Sequence, residues 1–98
     1  MQSLRSVYDG PLVGLQIYNP TPADSTADYA ITKLNGVFAD AVTRNGGIVA
    51  DGQAAFKAAA KDPCAEGLLI MLPDGTCDVH PTPAGAQVLA DAIQSVVP

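Results

Sequence analysis

The single histidine of this chain, His80, stands two residues after a carboxylate, in the stretch Cys77-Asp78-Val79-His80-Pro81-Thr82-Pro83-Ala84-Gly85. Imidazole, with an ordinary pKa of about 6.5, takes and returns protons near neutral pH. A carboxylate beside it can orient the ring and stabilise its charged form, which is the arrangement of a general base. In an extended segment positions two apart point to the same side, which sets Asp78 and His80 side by side without by itself fixing a grip on the ring. A backbone carbonyl is the alternative orienter. Pro81 biases His80 toward extended geometry, Thr82 can cap a following helix, and Pro83 suits the first helical position. The imidazole is expected on a loop held by a rigid helix.

A base of this kind needs a hydroxyl to act on. The serines are Ser3, Ser6, Ser25 and Ser95, and none lies in Gly-x-Ser-x-Gly or Gly-Asp-Ser. Ser25 follows an expected strand and opens an expected helix. A serine hydrolase places its nucleophile there, and helix-start amides can stabilise an oxyanion. A plain helix cap explains the same position without chemistry. The two cysteines, Cys64 and Cys77, either form a disulfide or remain a reduced pair in a core. As thiolates they could join His80 and an Asp around zinc, or make Cys77 a nucleophile beside His80.

The run Asp-Val-His-Pro-Thr-Pro-Ala-Gly, followed by Val88, Leu89, Ala90 and Ile93, resembles the last block of the SGNH (GDSL-type) ester hydrolases. It is most similar to the secreted actinobacterial members, in which an acidic-apolar-His-Pro-Thr run precedes the final helix. Gln16-Ile17-Tyr18-Asn19-Pro20, and Ile48-Val49-Ala50-Asp51 followed by Ala55-Phe56, extend the resemblance upstream. It covers nearly the whole chain, but only the second half of such an enzyme. The family's Gly-Asp-Ser nucleophile block and its oxyanion blocks, a glycine and Gly-x-Asn-Asp, are absent from these 98 residues. The family usually carries its acid three residues before the histidine, where Cys77 stands here, and Asp78 is one residue closer. The resemblance implies a serine triad with His80 as base, short-chain acyl esters as substrates, no metal or organic cofactor, and an exported protein.

Composition limits the other classes. A chain of 98 residues is one domain, here 1–98, and 48% hydrophobic with 15% charged residues is a core-forming composition. The net charge of -5 and five scattered Lys and Arg oppose binding to nucleic acid or anionic membrane. No apolar run approaches the roughly 20 residues of a membrane span, and Met1–Arg5 shows no signal-peptide pattern. A disulfide between Cys64 and Cys77 would require an oxidising compartment, in agreement with export.

The elements that must position these residues follow from periodicity and punctuation. Ser3–Tyr8 reads as a helix end, broken by Asp9-Gly10-Pro11. Leu12–Tyr18 reads as a strand buried on both faces. Ile31, Leu34, Phe38 and Ala41, flanked by Tyr29 and Val37, define a helix with a capping box at Ser25–Asp28 and a stop at Asn45-Gly46-Gly47. Ile48–Ala50 is a short strand and Gly52–Ala60 a short helix with Phe56 inward. Gly67–Leu72 is apolar without a deciding period, Pro73–Thr76 is a turn, and the last helix buries Ala86, Leu89, Ala90, Ile93 and Val96–Val97. Tyr18, Tyr29 and Phe38 are core candidates, with Tyr18 able to line a cleft at a strand end. Asp51 and Asp74 read as solvated turn residues.

The fold class expected is α/β: a partial SGNH/flavodoxin-like three-layer fold with a small parallel sheet. So few strands leave edges and apolar area uncovered, so completion by association is expected, as a homodimer or with a complementing N-terminal hydrolase segment. The function expected is carboxylic ester hydrolysis with His80, Asp78 and Ser25 as site residues. A non-catalytic self-associating module is the alternative.

Overall fold

The computed structural model describes residues 10–97, so the helix end read at Ser3–Tyr8 lies outside the described residues. The elements run β1 (Val13–Leu15), α1 (Ser25–Arg44), β2 (Ile48–Ala50), α2 (Gly52–Ala59), β3 (Leu69–Met71), β4 (Cys77–Pro81) and α3 (Pro83–Gln94). The architecture is α/β, as composition and periodicity imply, but it holds two small sheets. β1 and β2 pair in parallel, with Val13 opposite Ile48 and Leu15 opposite Ala50. β3 and β4 pair antiparallel. The expectation of parallel pairing therefore holds for the first sheet only.

The antiparallel pair exists because of the turn between its strands. The Asp74 carboxylate accepts from the Thr76 amide at 3.0 Å and the Thr76 hydroxyl at 2.6 Å. Gly75 takes a φ of 89°, which side chains with a Cβ rarely adopt. The Leu72 amide then donates to the Thr76 carbonyl and closes the hairpin. Asp74 is thus a turn-forming residue, and its two bonds to Thr76 hold its carboxyl below the usual value.

α1 begins one residue earlier than the capping box implies. Asp24, not Ser25, is the cap: its carboxylate accepts from the amides of Thr26 and Ala27 at 3.0 and 3.2 Å. A full negative charge suits a helix start at least as well as a hydroxyl does. The helix stops at Asn45-Gly46-Gly47 as read, with the Asn45 and Gly47 amides returning to the Val42 carbonyl. Asp51 is likewise more than a solvated turn residue, since it caps α2 by accepting from Ala54 at 2.8 Å.

The core lies where α2 and α3 meet the second sheet. Phe56, only 1% exposed, Ala60, Leu68 and Leu69 form it, with Tyr18, Cys77, Val88 and Leu89 packed around them. In α3 Val88, Leu89, Ala92 and Ile93 are half-buried, as is Val96 just beyond it, while Ala86, Ala90 and, past the helix, Val97 are exposed. α1 departs furthest from its apolar pattern. Val42 is buried and Ile31 and Phe38 half-buried, but Leu34 is 57% exposed, Val37 67%, and Tyr29 also faces solvent. β1 is not buried on both faces either: Gly14 is its one buried residue.

A polar residue takes the place in α1 that an apolar one would be expected to fill. Asn35 is 3% exposed and its carboxamide binds both backbone groups of Ile17, accepting from the amide at 2.9 Å and donating to the carbonyl at 2.8 Å. The Gln16 amide turns to β2, where it donates to Ala50. Strand alternation therefore turns the Ile17 groups the other way, toward the side where a third strand would pair. Asn35 satisfies them as a peptide of that strand would. Its amide also reaches Gln53 at 3.0 Å, which links β1, α1 and α2.

Cys64 and Cys77 are bonded, tying the turn after α2 to the first residue of β4. Among the described residues no helix is long and apolar enough to cross a membrane.

Two stability measurements test this account. Asn35→Leu should lower the unfolding free energy in urea by about 1–3 kcal/mol, because it strands the Ile17 amide and carbonyl in a buried place; an unchanged midpoint would show that these bonds contribute nothing. Cys64→Ser should cost about 3 kcal/mol, the chain entropy restored to a loop of this size, and should do so without changing far-ultraviolet circular dichroism at low temperature.

Candidate active site

His80 sits within β4, not on a loop ahead of the last helix. The proline after it favours extended backbone, and extended backbone facing the free edge of β3 becomes a strand. The helix behind is built as its sequence implies. Thr82 caps α3 by accepting from the Gly85 amide at 3.2 Å, and Pro83 occupies the first turn. The Thr82 hydroxyl also donates to the Gly67 carbonyl at 2.6 Å, and its amide to the Leu68 carbonyl at 3.0 Å. Gly85 permits this seating, because a Cβ there would lie 2.1 Å from the Leu68 carbonyl oxygen. The end of β4 is therefore clamped to the start of β3.

On this strand Asp78 and His80 face each other. The imidazole Nδ1 lies 3.0 Å from the Asp78 Oδ1, which also accepts from the Val79 amide at 2.7 Å. These two donors, the imidazole first, hold the Asp78 carboxyl below its ordinary range. With Nδ1 donating to the carboxylate, the neutral ring keeps Nε2 as its free acceptor. The His80 side chain is 71% exposed, so that nitrogen is open to an incoming group.

A third residue fixes the peptide between the pair. Tyr18, at the end of the first sheet, stacks on Phe56 with ring centroids 4.2 Å apart and planes 16° from parallel. Its hydroxyl donates to the Val79 carbonyl. Burial, and then the charge of Asp78, push the Tyr18 phenol above its ordinary value, so it stays a donor through neutral pH. The sequence marks Tyr18 as a core candidate able to line a cleft but does not show this bond; an aromatic with a hydroxyl at a strand end is the signal that could have suggested it.

Tyr18 and His80 share a groove of about 400 Å³ with Ile17, Pro20, Ile31 and Val79. Apart from the imidazole and the phenol its lining is aliphatic, the usual character of a small-molecule site. Ser25 is not part of that lining. It is exposed at the first position of α1, and among the described residues no hydrogen bond joins it to His80. The disulfide removes Cys64 and Cys77 as thiolate ligands and Cys77 as a nucleophile. No group of three His, Cys, Asp or Glu among the described residues is placed to hold a metal ion.

Comparison with protein families, with curated proteins and with solved structures finds no match to this chain.

The Asp78 carboxyl reports on the pair. Its carbon-13 titration midpoint should fall below the ordinary 3.8 and climb back toward that value in His80→Ala. A depressed carboxyl adds stability that is present above the ordinary value and is lost as pH falls through the folded-state midpoint. The contribution should therefore vanish on the acid side of 3.8, and Asp78→Asn should lack it at every pH. A midpoint indifferent to His80→Ala would mean that the two side chains do not interact in solution.

Proposed function

We propose that this chain is a carboxylic ester hydrolase of the SGNH type, contributing the catalytic histidine of a serine acyl transfer, and that it works outside the cell. The observation that carries this reading is the Asp78–His80 pair at an aliphatic groove. His80 takes the proton of an attacking hydroxyl at Nε2 and later returns it to the leaving alkoxide, while Asp78 holds Nδ1 and stabilises the imidazolium. The substrate is a short-chain acyl ester whose apolar part lies along Ile17, Pro20, Ile31 and Val79. The hydroxyl comes from Ser25, which would have to be carried to the groove, or from a complementing hydrolase segment docked over it. No cofactor enters this chemistry. Export is supported by the disulfide, which persists in oxidising compartments.

A second reading, a non-catalytic self-associating module, rests on a different observation. Leu34 and Val37 stand exposed on the longest helix.

One experiment separates the two. The purified chain is treated with a fluorophosphonate probe and the labelled residue located by mass spectrometry. Turnover of p-nitrophenyl acetate is followed for the wild type and His80→Ala. The hydrolase reading expects one labelled serine and a loss of about 100-fold in turnover in the variant, the scale of general-base catalysis. Absence of label, with turnover equal in both proteins, would leave the module.

A further inference from the structure

The exposed side of α1 carries a second pattern superimposed on the one that packs it to the sheet. Ala27, Ala30, Leu34, Val37, Ala41 and Arg44 follow one another at alternating three- and four-residue steps, the spacing of a coiled-coil seam; Ala30, Leu34, Val37 and Arg44 are exposed and Ala27 and Ala41 half-buried. Leu34 and Val37 lie at its centre and are its exposed large apolar residues. Lys33 and Asp40, seven residues apart, flank the seam on the same side. Neither belongs to the ion pairs formed among the described residues, which are Lys57–Asp28 and His80–Asp78. The Lys33 ammonium instead sits 5.5 Å from the centre of the Tyr29 ring, on its own helix.

These residues complement a copy of themselves. When two such helices lie antiparallel about a two-fold axis, flanking residues on one side of each seam face the same side of the other. With the axis between Leu34 and Val37, Leu34 of one chain meets Val37 of the second and Ala30 meets Ala41. Lys33 then falls beside Asp40, and symmetry repeats each pair. Two opposite charges centred on the same point as the two largest apolar residues make the surface complementary to itself in shape and in charge. The other route to a dimer, addition of a strand beside β1, is obstructed where Asn35 already occupies both backbone groups of Ile17.

We propose that α1 is the docking surface for a second copy of this chain, through an antiparallel helix pair centred on Leu34 and Val37 with Lys33–Asp40 contacts across it. This differs from a dimer that completes the sheet, and it holds whether or not His80 is catalytic. A helix of 20 residues is about 30 Å long, a span on which a contact of standard size can be centred.

Sedimentation velocity of the full chain at tens of micromolar tests it. The wild type should sediment as twice 10.0 kDa. Val37→Glu should sediment as a monomer, and because Val37 faces solvent its thermal melt should show a folded protein. Lys33→Asp and Asp40→Lys should each weaken the dimer on the order of tenfold, since symmetry places two like-charge contacts in each variant. The combined Lys33→Asp, Asp40→Lys protein should regain wild-type affinity to within about threefold. A monomeric wild type would overturn the proposal. So would a dimer that survives Val37→Glu, or a double variant no tighter than the single ones.

Discussion

Tyr18 joins two sheets that share no strand. It leaves the end of β1, lays its ring on Phe56 at the centre of the core, and gives its proton to the carbonyl between Asp78 and His80. Apolar packing between the parallel unit and the antiparallel hairpin is strong but does not fix direction. The bridge supplies the direction. A stacked aromatic with a satisfied hydroxyl contributes both area and one defined orientation, and the peptide it holds is the one that spaces the carboxylate from the imidazole.

The other restraints on β4 act from its two ends. Cys77 is bonded to Cys64 at the start of the strand, and Thr82 grips the Gly67 and Leu68 carbonyls just beyond its finish. A pair exposed to solvent would ordinarily lose much of its order to side-chain entropy. Here the backbone under it is held at both ends and in the middle, so the two rotamers are most of what remains to be fixed. The polar contacts around Asp28 do similar work between helices. Asp28 receives Lys57 at 2.9 Å and Asn19 at 3.1 Å, and those two donors, Lys57 foremost, keep its carboxyl below the ordinary value. Gln53 bridges from α2 to Thr32 on α1.

What could be read in the sequence was what is decided locally. Thr82 and Pro83 start a helix wherever they stand, Asn45-Gly46-Gly47 stops one, and Pro73–Thr76 turns the chain, because each effect is settled within about four residues. The meeting of Asp78 and His80 belongs to this class, following from alternation along an extended segment. Apart from the Cys64–Cys77 bond, which the sequence offered, long-range partnerships were illegible. That β4 is a strand depends on β3 folding back beside it, and Cys77–Pro81 alone, with one β-branched residue and a proline, carries little strand signal. Periodicity in α1 marked apolar residues, so it placed Leu34 inward and passed over Asn35, whose burial makes sense only once the end of β1 is beside it. Ser25 and Asp24 both have cap chemistry, and choosing between neighbours requires the backbone angle at each.

The carboxamide of Asn35 closes the sheet where Ile17 would otherwise offer its amide and carbonyl to any passing chain. Ladders that recruit strangers are how folded proteins seed fibrils, and a short tract with one end already occupied makes a poor template. A residue that looks like a misplaced polar group in a helix thus acts as protection against cross-β growth. The protection comes from the native fold itself and is lost whenever α1 lifts away from β1.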